Sequence, residues 1–178
     1  PRPLAMATSA MATKDPATGQ ARGFSVDLAR ELARRVGVPI ELVPFDTAGN
    51  VVDAFKAGTI DVGFVAIDPA RATDISYTEA YVVIEGAYLV TRDSPIRDNA
   101  EVDCTGTRVV VGAKSAYDLF LSRELKHATI VRAPSSPAVV DFFLAQRLDV
   151  AAGVKQQLEA DAKRLPGLRL LDGRFMVI

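Results

Sequence analysis

The sequence contains no tryptophan, one cysteine and one histidine among its 178 residues. Cys104 alone excludes an internal disulfide and a multi-cysteine metal site, and His127 alone excludes a His-rich metal site. The sequence also lacks a Walker loop, a G-x-S-x-G motif and an H-E-x-x-H motif, so it gives no support to phosphate, elbow-serine or zinc chemistry. We therefore expect neither a metal nor another cofactor.

Two further properties are missing, a surplus of positive charge and a long apolar run. Lys and Arg number 21 and Asp and Glu number 22, so no basic excess favours a nucleic-acid partner. No apolar run approaches the roughly 20 residues that span a bilayer. With 49% apolar and 24% charged residues, the composition is that of a folded globular protein. These counts favour a binding module or a carboxylate-based enzyme over a metalloenzyme.

Apolar periodicity predicts helices that alternate with short strands. Leu28, Leu32 and Val36 recur at helical spacing after the possible N-cap Ser25, and Gly37 ends the helix. Further helices are predicted from Asn50 to Ala57, Ser115 to Lys126, Pro137 to Ala145 and Lys155 to Arg164. Strands are predicted over 40–43, 60–67, 84–90, 108–112, 129–133, 148–152 and 168–171. This alternation predicts an α/β fold with a mainly parallel sheet.

A polar connector over residues 91–107 interrupts the alternation. It is rich in Asp, Ser, Asn and Pro, which favour turns over regular elements. We therefore expect two α/β lobes, residues 1–92 and residues 93–178, with the connector at the start of the second.

An internal repeat supports the two-lobe interpretation. Residues 51–62 match residues 139–150 at a constant offset, with Val, Val, Asp, Phe, Ala, Asp and Val in common. The simpler explanation is that two ordinary helix-to-strand joints have the same residues. The more specific explanation is that the two lobes are similarly built. A cleft between such lobes suits a small ligand, because strand carboxyl ends and helix N-termini converge there. Asp61 and Asp149, at the repeated joints, are interpreted as structural turn residues.

Five motifs in order resemble those of the family 3 extracellular solute-binding proteins. They are Gly23–Ala29, Phe55–Val62, Asp68–Arg71, Tyr77–Tyr81, and the stretch from Val109 through Ser115 to Asp149. The resemblance implies a two-lobed periplasmic binding protein-like fold of type II that closes on its ligand by a hinge. It also implies the solute-binding component of an ABC importer, which captures a small polar carboxylate or amino-acid-like ligand between the lobes. The implied protein is periplasmic, monomeric and non-enzymatic, with ABC permease subunits as partners.

The same fold leaves two other functions open. One is a periplasmic enzyme similar to cyclohexadienyl dehydratase, which needs acid and base carboxylates in the cleft. The other is the sensor module of a receptor kinase, which needs a membrane span. Fold alone does not separate these functions from solute transport.

Both ends of the sequence suggest processing or loss of a segment. Pro1–Pro3 lacks the charged and apolar regions of a signal peptide, so we expect any signal to have been removed. Arg174–Ile178 reads as the middle of a strand, so we expect a C-terminal return segment to be missing. Members of the family continue beyond this point and return to the first lobe, which agrees with that expectation.

The resemblance places a ligand-binding arginine at Arg71 and a serine at a helix N-terminus at Ser115. A guanidinium binds a carboxylate through two parallel hydrogen bonds, and a helix N-terminus favours an anion. The alternatives are a solvated surface arginine and a simple capping serine, with Asp118 completing an S-x-x-D capping box.

The sequence departs from the family where amino-acid binders hold the ligand ammonium. Val154 occupies the position of the expected carboxylate. Before the arginine, Ala66 stands where a serine or threonine is usual, and Asp68 stands where a threonine is usual. Glu85 and Asp68 are possible substitute anions, and each is equally well explained as a structural residue. An ordinary α-amino acid is therefore in doubt, and a carboxylate without an essential α-amino group is favoured.

Three apolar candidates for the cleft walls complete the predicted site: Tyr81, Tyr117 and Met11. Tyr77 is expected in the core, as the family aromatic at that position is. His127 is expected in the last turn of a helix, where a cation suits the helix dipole.

Overall fold

The chain folds as two units, which comprise residues 1–77 and 78–178. The computed structural model describes residues 3–8, 13–14 and 18–178. Both units combine helices with strands, as the alternating pattern predicts. Within this described part, no helix is both long enough and apolar enough to cross a membrane.

The first unit is built on a parallel three-stranded sheet. Its elements are β1 (Leu4–Thr8), β2 (Thr13–Lys14), β3 (Ala21–Arg22), α1 (Phe24–Val36), β4 (Ile40–Pro44), α2 (Ala48–Lys56) and β5 (Val62–Gly63). The strand order in the sheet is β4-β1-β5, and β2 and β3 form a separate antiparallel pair. The middle strand is buried on both faces: Ala5 and Ala7 pack in one core cluster, and Met6 packs in another with Ala29 and Ala33 of α1.

Helix α1 forms where predicted but buries a different face. Leu32 and Val36 of the predicted apolar stripe are 38% and 58% exposed, and Leu28 is half-buried. Small side chains replace them against the sheet, because alanine lets the helix axis approach the strands closely. The buried residues of α1 are Ser25, Val26, Ala29 and Ala33.

The helices of the first unit begin earlier than the sequence predicts. Gly23, with φ 129°, is the N-cap of α1, and Ser25 lies inside its first turn. Thr47, not Asn50, is the N-cap of α2. The Thr47 hydroxyl oxygen accepts a hydrogen bond from the backbone amide of Asn50. Gly37 ends α1 in the left-handed conformation, as predicted, with φ 74°.

The second unit contains a six-stranded mixed sheet. Its elements are β6 (Glu85–Thr91), β7 (Arg108–Gly112), α3 (Ala116–Glu124), β8 (Thr129–Ala133), α4 (Val139–Ala145), β9 (Val150–Val154), α5 (Lys155–Arg164), β10 (Leu168–Leu170) and β11 (Met176–Val177), with 3-10 turns at Asn99–Glu101 and Ser136–Ala138. The order is β10-β6-β9-β7-β8, and β11 also pairs with β6. Strands β7, β8 and β9 are parallel, whereas β6 runs antiparallel to β9, β10 and β11.

The sheet of the second unit is packed on both faces. In β7, Val110 lies in one core cluster with Phe143 and Leu158. Its neighbours Val109 and Val111 lie in the other cluster. Successive strand residues point to opposite faces, so a run of three valines suits a sheet that is covered on both sides.

The unit boundary lies before the polar connector, not within it. The composition predicts residues 84–90 in the first lobe, whereas the structure divides the chain after Tyr77. The reason is that β6 hydrogen-bonds to β9 on one side and to β10 and β11 on the other. Composition marks where a loop is, but strand pairing decides which unit a strand belongs to.

The repeated aspartates make the same backbone contacts in both units, as their structural interpretation predicts. Asp61 accepts the Ala5 amide at 3.0 Å, and its own amide donates to the Ala5 carbonyl at 2.8 Å. Asp149 accepts the Arg108 amide at 2.9 Å, and its amide donates to the Arg108 carbonyl at 3.2 Å. Each aspartate therefore attaches the chain after a helix to the start or edge of a neighbouring strand.

These joints also shift the strands that follow them. The strand predicted over 60–67 is reduced to Val62–Gly63, which pair with Met6 and Ala7 of β1. The strand predicted over 148–152 begins only at Val150, after Asp149 has made its turn contacts.

A third aspartate, Asp103, organises the segment that was predicted to end a helix. Helix α3 ends at Glu124, so His127 lies beyond it, contrary to the prediction. The Asp103 carboxylate accepts the amides of Lys126, His127 and Ala128 at 2.8–3.0 Å. These bonds, the one from Ala128 foremost, lower the Asp103 pKa to about 2.

Replacing Asp149 with alanine is expected to destabilise the second unit by about 1–3 kcal/mol, because a backbone amide and the Arg108 guanidinium lose a charged acceptor. Urea unfolding monitored by circular dichroism measures the change. Asp141→Ala is the matched control, since Asp141 lies in the same repeat with a side chain that is 75% exposed. An equal loss in the two variants would contradict the assignment.

Asp103 is expected to make stability depend on pH in the acid range. Its folded pKa is about 2 against an ordinary value of 3.8, so its contribution is full above about pH 4 and is lost as the pH falls toward about 2. Asp103→Asn is expected to lower the melting temperature at neutral pH and to flatten this acid dependence. Thermal melts over a pH series measure the melting temperature and its acid dependence, with Asp172→Asn at an exposed position as the control. Parallel pH curves for wild type and Asp103→Asn would disprove the role of Asp103 in acid stability.

Candidate functional site

Arg71 is buried within its own loop, not solvated on the surface. The loop from Ala66 to Tyr77, here called the Arg71 loop, follows β5 in the first unit. The Arg71 residue is 4% exposed, and Nη1 donates to the Ala66 carbonyl at 3.2 Å. The Tyr77 hydroxyl donates to the same carbonyl at 3.3 Å. The surface-arginine alternative is therefore excluded.

Burial gives the Arg71 guanidinium an unusual electrostatic environment. Loss of solvent lowers the Arg71 pKa, and Tyr77 and Asp68 partly oppose this shift. Arginine remains protonated in proteins even so. A buried guanidinium interacts more strongly with an anion than an exposed one, because less water screens the pair.

Asp68 shapes the turn that carries Arg71. It is 1% exposed, and its Oδ1 accepts the Ala70 amide at 2.8 Å. Its carbonyl accepts the amides of Arg71 and Ala72 at 3.0 and 3.1 Å. This pattern is an Asx turn, which is a structural use of the aspartate. A ligand contact by Asp68 stays a prediction.

In the second unit, the carboxyl end of β7 leads into the N-terminus of α3. Ser115 is the N-cap and its Oγ accepts the Asp118 amide at 3.1 Å. Lys114, in the left-handed conformation with φ 58°, donates its amide to Asp118 Oδ2 at 2.9 Å. In a capping box the Asp118 carboxylate would accept the amide of the N-cap Ser115, but here it accepts the amide of Lys114, the residue before the cap. The predicted capping box therefore forms with its reciprocal bond moved by one residue.

Asp118 is committed to this helix start and to Arg132. Its side chain is 8% exposed, and Arg132 Nε donates to both carboxylate oxygens at 3.0 and 3.1 Å. The Ser122 hydroxyl adds a donor at 3.2 Å. The negative charge beside the helix start is therefore paired with a cation, and it also stabilises the positive end of the helix dipole.

Tyr117 is buried against other aromatic rings. It is 4% exposed and packs edge-on to Phe175 with centroids 5.7 Å apart, and its buried hydroxyl has no hydrogen-bond partner among the described residues. A Cβ at Gly86 would approach Tyr117 and Phe175 to 2.8 Å, so only glycine allows this packing. Burial raises the Tyr117 pKa far above its usual range. A position in the core explains Tyr117 without a ligand.

Tyr81 and Met11 differ from Tyr117 in what the structure shows of them. Tyr81 lies in the segment before β6 and is 50% exposed, so its ring is accessible. Met11 lies outside the described residues. Contacts of either residue with a ligand stay predictions.

Glu85, predicted as a possible anion for a ligand ammonium, is engaged by two cations. Lys155 Nζ lies 2.9 Å from Oε2, and Arg174 Nη1 lies 2.5 Å from Oε1. These contacts, with Lys155 first, lower the Glu85 pKa. Sequence analysis missed both partners, because 70 and 89 residues separate them from Glu85 and no local spacing indicates the pairing.

Val154 lies at the carboxyl end of β9, where it is the N-cap of α5. Its backbone is extended, with φ −60° and ψ 124°, and no side-chain cap is made. Valine is among the poorest capping residues, and aspartate and asparagine are among the best. The residue that departs from the family pattern is therefore also a locally unfavourable choice.

Two cavities in the second unit lie at the other end of its parallel strands. A cavity of about 510 Å³ is bounded by residues 91, 93–96, 105–107 and 148–149, which include the turns that precede β7 and β9. A second cavity of about 280 Å³ adjoins it at Thr91 and Leu148. Neither contains a predicted site residue, so cavity size does not identify the predicted site.

Metal chemistry finds no support in the part of the chain that the structure describes. Within residues 3–8, 13–14 and 18–178, no three His, Cys, Asp or Glu side chains form a group that could hold a metal ion. Cys104 is exposed and unbridged.

Several solved structures share this fold. A binding component of an ABC transporter from Wolinella succinogenes, complexed with lysine, is 20% identical with a TM-score of 0.79, over 98% of this chain and 78% of that one. Arginine-bound, truncated ArgBP from T. maritima is 22% identical with a TM-score of 0.82, over 98% and 84%. An ancestral amino-acid-binding protein, a precursor of cyclohexadienyl dehydratase, is 24% identical with a TM-score of 0.80, over 98% and 78%.

These likenesses confirm the predicted periplasmic binding protein-like fold. The family model of the bacterial extracellular solute-binding proteins, family 3, matches residues 6–165. That match includes all five motifs on which the resemblance rests. Because it spans most of the 178 residues, the chain belongs to family 3 of the bacterial extracellular solute-binding proteins.

Proposed function

We propose that this protein binds a small amino-acid-like solute through its carboxylate and delivers it to the permease subunits of an ABC importer. The family is one of solute-binding proteins, and the lysine- and arginine-bound relatives support an amino-acid-like ligand. We further propose that the protein acts in the periplasm as a monomer. That the solute lies between the two units stays a prediction.

The buried Arg71 guanidinium is the observation that carries this proposal. Its residue is 4% exposed and one of its nitrogens contacts the Ala66 carbonyl. A guanidinium carries five N–H donors in a planar fork. Two parallel N–H donors match the spacing of carboxylate oxygens, which favours a carboxylate over a neutral ligand.

The charges near β6 bear on whether the solute needs an α-ammonium group. Glu85 already faces Lys155 and Arg174, and Val154 offers no charge. A desolvated ammonium without a counter-charge is costly. We therefore propose a carboxylate solute whose α-amino group is not essential for binding.

We propose binding without chemical conversion of the solute. An enzyme of the dehydratase kind needs a carboxyl group that can give up a proton. Glu85 does not suit that role, because Lys155 and Arg174 lower its pKa and keep it ionised at neutral pH. Turnover of prephenate or arogenate by the purified protein would contradict this part of the proposal.

Arg71→Ala is expected to weaken solute binding by about 30- to 1000-fold or more, because losing one partner of a desolvated charge pair costs about 2–5 kcal/mol. A thermal-shift screen of L-arginine, L-lysine, L-glutamine and their deaminated analogues selects the solute, and calorimetry measures its affinity. Arg71→Lys is the conservative control and is expected to restore only part of the affinity, since an ammonium lacks the planar fork. Unchanged affinity in Arg71→Ala would remove this residue from the site, and a screen without any ligand would contradict the amino-acid-like class.

Val154→Asp is expected to change both stability and selectivity. A capping side chain at the start of α5 is expected to add about 0.5–2 kcal/mol to the free energy of unfolding. The new charge is expected to increase the preference for an amino acid over its deaminated analogue by about tenfold or more. Paired calorimetric titrations of wild type and variant measure this ratio.

Val154→Asn separates the two effects, because asparagine caps a helix without adding charge. It is expected to raise the melting temperature as Val154→Asp does, while the ratio of affinities stays at the wild-type value. If wild type already prefers the amino acid strongly, the proposal that its α-amino group is not essential is wrong. If both variants change the ratio equally, charge at this position is not what sets selectivity.

A further inference from the structure

We infer that Tyr77 is a positioning residue for Arg71, and that its hydroxyl fixes the carbonyl on which the guanidinium rests. The inference about geometry stands on the Arg71 loop alone. Its consequence for affinity rests on the proposed function, in which Arg71 receives the solute carboxylate.

The shared acceptor is the Ala66 carbonyl. Arg71 Nη1, five residues later in the chain, donates to this oxygen at 3.2 Å. Tyr77 Oη, eleven residues later than Ala66, donates to the same oxygen at 3.3 Å. A carbonyl oxygen has two lone pairs, so both donors are accommodated together. The tyrosine bond therefore connects the two ends of the Arg71 loop across the atom that orients the guanidinium.

The hydroxyl is suited to act as a permanent donor. Burial raises the Tyr77 pKa above its usual value, with Arg71 opposing the shift. The phenol therefore remains protonated throughout the physiological range. Phenylalanine would keep the ring and would lose the hydroxyl, both as the donor to the Ala66 carbonyl and as the partner of the Asp68 backbone, so the hydroxyl's contribution is separable from ring packing.

Other contacts among the described residues hold other parts of the loop. The Asp68 turn fixes the backbone immediately before Arg71. Asp74 forms a 2.8 Å ion pair with Lys56 at the end of α2. Neither contact reaches the Ala66 carbonyl, so they determine the course of the chain more than the direction of the guanidinium.

The consequence for binding follows from orientation. Bidentate recognition requires the guanidinium plane to be aligned with the carboxylate before the solute arrives. A loosened guanidinium loses this alignment but keeps its charge. Tyr77→Phe should therefore reduce affinity for a carboxylate more than affinity for the corresponding carboxamide.

The first test needs no ligand. Proton exchange of the Arg71 Nε–H is measured by nitrogen-15 NMR of the full chain, with the resonance assigned by its loss in Arg71→Lys. Loss of one hydrogen bond is expected to speed exchange in Tyr77→Phe by about three- to tenfold. Tyr88→Phe makes the same chemical change in the second unit and is expected to leave the Arg71 rate as in wild type. Equal rates in Tyr77→Phe and wild type would overturn the inference.

The second test measures affinity for L-arginine and L-argininamide by calorimetry. Tyr77→Phe is expected to lower affinity for the carboxylate by about three- to tenfold and to leave the amide unchanged, whereas a general loss of structure would weaken both. In an Arg71→Ala background the same substitution is expected to have no effect on either. If Arg71 exchange is faster in Tyr77→Phe but neither Tyr77→Phe nor Arg71→Ala changes the affinity for L-arginine, the proposed function is contradicted and the positioning role is supported. A normal Arg71→Ala loss without any change in Tyr77→Phe exchange would overturn the positioning role alone.

Discussion

The pairing of β6 with strands on both of its sides is the constraint on which the second unit depends. Its register sets Gly86 opposite Val154 on one side and opposite Met176 on the other. Ala87 to Val90 are buried, so the strand contributes to both core clusters. This placement brings Glu85 to Lys155 and Arg174, and it puts Gly86 beneath the aromatic rings of Tyr117 and Phe175. Packing and electrostatics at this end of the unit are therefore consequences of one strand's register.

The first unit depends on close packing of small residues around β1. Alanines of α1 pack with Met6 on one face of β1, and the β1 alanines pack with α2 on the other face. The chain then leaves β5 after two residues and enters the Arg71 loop, where it is held by hydrogen bonds that begin and end within the loop. Arg71 is buried in this loop. This matters for recognition, because a guanidinium that is already oriented loses less entropy when a carboxylate binds.

The sequence predicted the positions of helices and strands well, and it predicted their tertiary contacts less well. Strands over 108–112 and 129–133 and the helix over Lys155–Arg164 agree with the structure, because their patterns are local. The unit boundary and the partners of Glu85 depend on pairings between distant residues, which periodicity does not contain. The face of α1 was wrong for a related reason: hydrophobicity favoured leucines, whereas close approach to the sheet favoured alanines. In the site, burial of Arg71 and its contact with Tyr77 needed the three-dimensional loop.

The described carboxylates share a preference that bears on recognition. Seven of them accept backbone amides: Asp61, Asp68, Asp98, Glu101, Asp103, Asp118 and Asp149. Glu85, in turn, faces two cations. A carboxylate used in this way holds the fold together but offers less charge to a ligand ammonium, whereas the planar donors of Arg71 suit an anion. These carboxylates thus serve the architecture of the protein, and the proposed recognition of a carboxylate solute by Arg71 draws on none of them.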